Sequence, residues 1–217
     1  MKNSSHLRKV HHLHKKHNLH HRTVFYMRKG RHIHFHRRII SESLRVLIIA
    51  SVVSTIGGIG LQALEEKLLV FIPMLILVPA LNHMTGSFGT IISSKFTTDL
   101  YLGKVGRNWW KSRDIQNLFR SVMIVSFLTA LYVSILASAF SMYQGFPLTI
   151  ELFFKMVLLS ITANLCLVSL IFVVSAVAGL YIYSEKKDPN NFLIPLTTSL
   201  ADLGSMIIFS LMIAFLI

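Results

Sequence analysis

The sequence is short of several residue types, and each shortage excludes a class of protein. A single cysteine, Cys166, rules out a disulfide within the chain, and its place in an apolar run says nothing about redox compartment. No glycine-rich phosphate-binding loop is visible, which argues against coupling to ATP. Charged residues make up 14% of the chain and hydrophobic residues 53%, with a mean hydropathy of +0.60. That composition excludes an ordinary soluble globular domain and indicates a membrane protein.

Acidic residues are also scarce, and none lies near the N-terminus. Residues 1–38 contain 11 of the 22 Lys and Arg residues and ten of the 11 histidines, so the rest of the chain is nearly neutral. This stretch is too long and too charged to be the n-region of a cleavable signal peptide. We predict that residues 1–40 form a disordered cytoplasmic tail attracted to anionic lipid headgroups. The alternative is a strip of histidines that collects transition metals, and we expect no nucleic-acid partner.

Several apolar runs are long enough to cross the hydrocarbon core of a bilayer, which takes about 20 helical residues. Five predicted spans run from about 44–62, 68–94, 118–143, 151–183 and 192–217. Each must be helical, because lipid offers no partner for an unpaired backbone amide. The predicted fold class is therefore an all-α integral membrane protein. With no internal repeat visible, residues 41–217 form one five-helix transmembrane domain.

The basic residues outside the tail predict the orientation. The segment 95–120 contains six of them and the connection between spans four and five contains Lys186 and Lys187, whereas the other two connections are short and nearly free of positive charge. The positive-inside rule then places the tail and both basic connections in the cytoplasm and the C-terminus outside. We expect a multi-pass protein of the cell membrane. Trp109 and Trp110, in the long basic connection, are expected to anchor it at headgroup depth.

Span one carries small residues at helical spacing. Ser51, Ser54 and Gly58 share a face, with Gly57 and Gly60 beside them. Small residues let two helix backbones approach closely. We interpret this face as a helix-packing surface only.

Span two is polar over its cytoplasmic half. Pro73 and Pro79 remove backbone donors, so we expect the helix to bend or break. Two neighbouring stripes follow at helical spacing, Asn82, Gly86, Gly89 and Ser93 on one and His83, Ser87, Thr90 and Ser94 on the other. So wide a polar arc is costly against lipid, and we predict that it faces a cavity or another helix.

Span five contains one acid in an otherwise apolar helix. Asp202 shares a stripe with Thr198 and Ser205, and Pro195 precedes them. An ionisable group near the bilayer centre costs ~2.5–3.5 kcal/mol on insertion scales, so it normally faces a partner or water. No Lys or Arg lies in a predicted span at matching depth, which leaves a bound cation as the partner of Asp202. The alternative is a protonated or hydrogen-bonded aspartate between helices.

The donor types indicate which cation this would be. Carboxylate, hydroxyl and amide oxygens suit hard ions such as Mg²⁺, Ca²⁺ and Mn²⁺. Mg²⁺ gives up its waters reluctantly and takes only one or two carboxylates directly, as one aspartate doubled by a two-fold axis would supply. His83 is a softer donor, so Zn²⁺, Co²⁺ and Ni²⁺ stay open, and a single acid also leaves proton or sodium exchange open.

A function of another class rests on His83 and Ser87, which lie one turn apart and resemble the base and nucleophile of a hydrolase. Neighbours at this spacing on one helix rarely aim at each other productively, and no oxyanion donor or third residue is visible. An aspartyl membrane protease needs two intramembrane acids, whereas Asp99 is expected at or beyond the end of span two. We therefore predict no enzymatic activity and no cofactor.

Two motifs in spans two and five resemble one family. The run from Pro79 through Gly86 to SKFTT at 94–98 resembles the Pro…Gly-Asn…Ser-Arg-Leu-Ser-Thr signature of MgtE-type magnesium transporters and their eukaryotic solute-carrier relatives. The stretch DPNNFLIPLTTSLADLGSM at 188–206 is similar to the Asp-Pro-Asn-Asn…Ile-Pro…Thr-Ser…Asp element of that family. The two motifs stand in the right order and in the right spans, and the resemblance covers about residues 41–217.

The resemblance implies a homodimer in which spans two and five line an ion path. It makes Asp202 the central ion site and divalent cation transport, with Mg²⁺ as the cargo, the expected function. The residues expected to line the path are Thr198, Ser205, Asn82, Gly86, Ser87, Gly89 and Thr90. Ser87 stands where the family has Asn, which bears on ion selectivity. The sequence contains no counterpart of the cytoplasmic magnesium-sensing domains of bacterial MgtE, so we expect no gating by that route.

Overall fold

The computed structural model describes residues 35–62, 72–106, 108–185 and 187–216. These residues form helices and connections with no strand, as the predicted fold class requires. The α-helices are α1 Phe35–Gln62, α2 Ile72–Tyr101, α3 Arg113–Tyr143, α4 Ile150–Ser184 and α5 Pro189–Leu216, and a short 3₁₀ helix covers Trp109–Lys111. All five α-helices are long and apolar enough to cross a membrane, which confirms the five predicted spans. Most of the predicted tail lies outside the described residues.

Two helices extend well beyond their predicted spans. α1 begins at Phe35, so its first turns belong to the stretch we assigned to the tail. α2 continues past residue 94 to Tyr101, because the polar side chains there are compatible with a helix. Lys95 is half exposed and pairs with the fully buried Asp99 at 3.2 Å, one turn further on. Asp99 therefore lies within the last turn of α2. Gly103, with a positive φ of 71°, follows the helix end.

The prolines do not break α2. The helix runs continuously through Pro79, and Pro73 is its second residue, where a missing N–H costs no helical hydrogen bond. The expected break is therefore not found. At Pro79 the ring removes the donor that would reach the carbonyl of Leu75, one turn earlier.

The other helix ends follow recognisable local signals. Thr149 caps α4, and its hydroxyl accepts from the Leu152 N–H at 3.3 Å. Asp188 accepts from the Asn190 N–H at 3.1 Å, and Pro189 is the first residue of α5, where a proline is well tolerated. Gly145, with φ of 82°, follows the end of α3.

Helices α2, α3, α4 and α5 pack together, and α1 packs mainly on α5. Two apolar clusters fill the space among the four, one around Met74, Leu77 and Phe209 and the other around Ile92 and Phe172. By contrast, the large apolar side chains of α1 are mostly more than half exposed, as expected for a helix that faces lipid along most of its surface.

Buried polar side chains also tie α2 to its neighbours. Thr85 donates to Asn164 Oδ1 at 3.0 Å, and Asn164 Nδ2 donates to Ser126 Oγ at 2.7 Å, which links α2, α4 and α3. One such link between membrane helices contributes about 0.6 kcal/mol on average. The sequence analysis did not anticipate these links, because α3 and α4 read as apolar runs.

Candidate functional site

An open groove of about 520 Å³ lies along the contact between α2 and α5. Its lining includes most of the residues that we expected along an ion path: Asn82, Gly86, Ser87, Thr90, Thr198 and Asp202, together with His83, Pro79, Val78 and Met206. Asp202 lies at the middle of α5, so the carboxylate is about 20 Å along the axis from the first residue of that helix. The groove therefore exposes an acid at mid-membrane depth.

Three helices meet at the carboxylate of Asp202. Ser54 of α1 donates to its Oδ2 at 2.7 Å, and Asn82 of α2 donates from Nδ2 to its Oδ1 at 2.9 Å. Each carboxylate oxygen accepts about two hydrogen bonds or ligands, so one site on each oxygen is left beyond these two donors. The side chain is fixed in direction and still has oxygen capacity toward the groove.

The side chain of Asn82 is itself held in place by a hydrogen bond from Ser205. Its Oδ1 accepts a hydrogen bond from the Ser205 hydroxyl, which is buried and also lies close to the Ala201 carbonyl. This contact fixes the orientation of the amide, because a flipped Asn82 would turn its carbonyl oxygen toward the carboxylate. Ser205 does not line the groove. It supports Asn82, which in turn supports Asp202.

Close helix approach makes this arrangement possible. A Cβ at Gly57 of α1 would lie 3.2 Å from Leu203 Cα, and a Cβ at Gly89 of α2 would lie 3.0 Å from the Thr197 side chain. α5 therefore packs tightly against both α1 and α2 at glycines. We expected Gly89 to line the groove, but it packs against Thr197 instead. Ser93 is likewise buried, against Ser175 and Thr197.

The hydroxyls in the groove bond to their own helix. Ser87 Oγ donates to the His83 backbone carbonyl at 2.9 Å, and Thr90 donates to the Gly86 carbonyl at 3.3 Å. Thr198 donates to Ile194 and Pro195 carbonyls. A hydroxyl that donates its hydrogen keeps both lone pairs, so these oxygens can still accept from the waters of a hydrated ion. Ser87 does not bond the imidazole of His83, so this pair lacks the nucleophile-to-base contact that a hydrolase requires.

Most of the polar atoms that line the groove are oxygens, which hard cations prefer. In the part of the chain that the structure describes, no three His, Cys, Asp or Glu side chains gather into a cluster that would hold a metal ion. A single carboxylate with nearby hydroxyl oxygens suits an ion that keeps most of its waters, as Mg²⁺ does. A transition-metal site built from several nitrogen or sulfur ligands is not found among these residues.

Ser54 is the residue that sequence reasoning misjudged. We interpreted the small-residue face of α1 as packing only, and Gly57 fits that interpretation. Ser54, one turn before it on the same face, instead donates to Asp202. Gly58 and Gly60 have no neighbouring atom within 4 Å of an added Cβ, so the close approach is at Gly57 alone. A serine near the middle of an apolar span is the only signal that the sequence offered.

Comparison with known proteins points to the same helices. Residues 78–212 match the family model described as MgtE, divalent cation transporter, and this stretch begins in α2 at the groove and ends in α5 beyond Asp202. Neither a curated protein nor a solved structure matches the chain. The matched stretch covers more than half of the sequence, and the chain therefore belongs to the MgtE family of divalent cation transporters.

Proposed function

We propose that this chain carries Mg²⁺ passively along the groove between α2 and α5, with Asp202 as the ion-binding carboxylate. The single observation that supports this most strongly is the position of Asp202, which is oriented by Ser54 and Asn82 while it lines an open groove. A carboxylate buried only for packing would have no need of an open face. The chemistry of the lining favours a partly hydrated hard ion over a fully coordinated soft one.

We propose further that the driving force is the membrane potential. A potential contributes ~2.3 kcal/mol per elementary charge per 100 mV, so a divalent ion gains about twice that amount. This corresponds to a concentration ratio above about a thousandfold, which is enough for accumulation without ATP. Because the interior of a cell is negative, this potential would draw Mg²⁺ inward.

Two chains complete the path in this proposal. One carboxylate and an open groove are half of the site that a two-fold axis would build, and the homodimer expected from the family resemblance supplies the other half. The tail assigned to residues 1–40 would lie on anionic headgroups at the cytoplasmic face of the membrane. Transition-metal transport remains the second candidate, because His83 lines the same groove.

The test is the variant Asp202→Asn in liposomes. The amide has the same shape but no charge, so we expect Mg²⁺ uptake under an imposed inside-negative potential to fall at least about tenfold. The matched control is Asp114→Asn, which removes an exposed acid outside the groove that pairs with Lys104 at 3.4 Å. Uptake by Asp202→Asn at the parental rate would refute the role of this carboxylate.

A further inference from the structure

The start of α3 and the short turn before it carry cations that pair with no acid among the described residues. Segment 95–120 has six basic and two acidic residues. Both acids are already paired, Asp99 with Lys95 and Asp114 with Lys104. Among the described residues of this segment, the ion pairs leave out three exposed cations, Lys111, Arg113 and Arg120. We call these three cations together with Trp110 the basic collar.

The collar lies where α3 leaves the hydrocarbon. α3 has 31 residues and is about 46 Å long, which exceeds the ~30 Å of a bilayer core, so its ends extend into the headgroup layers. Arg113 and Arg120 are two turns apart on one face, about 10 Å along the axis. The same face continues with Ile124 and Leu128, which are 61% and 56% exposed. It therefore changes from cationic to apolar within one turn.

Trp110 is held at that boundary. Its ring is 52% exposed and packs 5.3 Å from Trp109 and 5.9 Å from Phe119, measured between ring centroids. Gln116 of α3 donates from Nε2 to the Trp110 carbonyl at 3.0 Å. The indole is thus fixed beside the second turn of α3, level with the charged stretch. Tryptophans with a fixed depth and one exposed edge are typical of the interface between headgroups and acyl chains.

We propose that the basic collar is a binding site for anionic phospholipid headgroups. Arg113 and Arg120 would pair with the phosphate oxygens of such a lipid, since guanidinium groups bind phosphate in a bidentate way, and Trp110 would lie against the glycerol and upper acyl region. The proposed orientation puts the collar in the cytoplasmic leaflet, where anionic lipids are enriched. The inference does not depend on which ion the protein carries.

Tryptophan fluorescence tests this directly, because Trp109 and Trp110 are the two tryptophans of the whole chain. The full chain is reconstituted in vesicles of phosphatidylcholine with a minority of phosphatidylglycerol. Two preparations are compared, in which the acyl chains that carry the bromine quencher belong either to phosphatidylglycerol or to phosphatidylcholine. The mole fraction of brominated lipid is the same in both. We expect a relative association constant for phosphatidylglycerol about fivefold or more above that for phosphatidylcholine, and a lower value in high salt.

Substitutions distinguish lipid binding by the collar from lipid binding by the N-terminal tail, which is also basic. In the double variant Arg113→Gln/Arg120→Gln we expect this quenching preference, the association constant for phosphatidylglycerol relative to that for phosphatidylcholine, to fall close to one. In Lys155→Gln, which removes an exposed cation paired with Glu151 on α4, we expect the preference to persist. Equal quenching by both lipids in the parent would overturn the proposal. So would an unchanged preference in the double variant, because the tail would then be its source.

Discussion

At the scale of the residue, the main finding is a carboxylate whose two oxygens each accept one hydrogen bond from a different helix. A hydrogen bond to a charged group contributes roughly 1.5–3 kcal/mol, so two of them offset a large part of the cost of an acid at mid-membrane depth. The two bonds also fix the direction of the carboxylate at the edge of the groove.

The variant Ser54→Ala tests this arrangement. It removes the donor to Asp202 Oδ2 without changing the groove lining, so we expect the apparent KM for Mg²⁺ to rise about tenfold, as loss of one charged hydrogen bond predicts. The control is Ser51→Ala one turn earlier, whose hydroxyl donates at 2.9 Å to the Ile48 carbonyl of the same helix. Equal transport kinetics in the two variants would contradict a positioning role for Ser54.

His83 offers a separate test of ion choice. Its imidazole is the one nitrogen base in the groove lining, and such a donor favours Co²⁺ and Ni²⁺ over Mg²⁺. In His83→Gln we expect Mg²⁺ uptake to stay within about twofold of the parent while Co²⁺ and Ni²⁺ uptake falls severalfold. Ser87→Ala, one turn along the same groove, is the control. A larger loss of Mg²⁺ uptake than of Ni²⁺ uptake in His83→Gln would contradict this assignment.

The sequence predicted Asp202 because a charge in an apolar helix is visible without any structure. It did not predict Ser54, because the two residues are 148 positions apart and nothing local to α1 indicates the contact. It also left open which residues of the polar arc of α2 face a cavity and which face another helix, and it assigned Gly89 to the path. On α2 the stripe divides, with Asn82 and Gly86 at the groove and Gly89 and Ser93 against other helices.

At the scale of the element, α5 is positioned by glycines on two of its neighbours, Gly57 of α1 and Gly89 of α2. A side chain at Gly57 would meet backbone of α5, which cannot move aside as a flexible side chain can. Gly57→Leu is therefore expected to push α1 off α5 at a cost of ~1–3 kcal/mol and to lower the melting temperature in detergent by several degrees.

The adjacent residue gives the control for that substitution. Gly58→Leu adds the same side chain where no atom lies within 4 Å of the added Cβ, so we expect little change in melting temperature. Both variants change helix propensity alike, and the difference between their melting temperatures isolates the packing contribution. A difference near zero would show that α1 does not need this approach.

Hydropathy predicted the number and order of the helices, because each run is long and apolar enough on its own. The ends were predicted less well. Segment 95–101 has four charged or hydroxyl-bearing residues in its first five positions and reads as a connection. It is nevertheless helical, with Lys95 reaching outward and Asp99 buried and paired with it. Such a pairing depends on the neighbouring helices that bury Asp99, and the sequence of one segment does not reveal it.

At the scale of the whole molecule, the proposed path needs a second chain opposite the groove. Thr198 lines the groove close to Asp202, so a cysteine there would face its counterpart across a two-fold axis. In a Cys166→Ser background, we expect Thr198→Cys to form a crosslinked dimer under mild oxidation in membranes. Thr162→Cys, on an exposed face of α4, is the matched control and should remain monomeric on gels. Crosslinking of Thr162→Cys alone would place the interface elsewhere.

The bond between Ser54 and Asp202 also has a consequence for biosynthesis. It joins the earliest and the latest of the five described helices to leave the ribosome, and α1 has little other support among its neighbours. Until α5 enters the bilayer, the nascent chain has neither the carboxylate nor the surface on which α1 rests. On the path proposed above, the ion route would therefore be assembled only when α5 inserts.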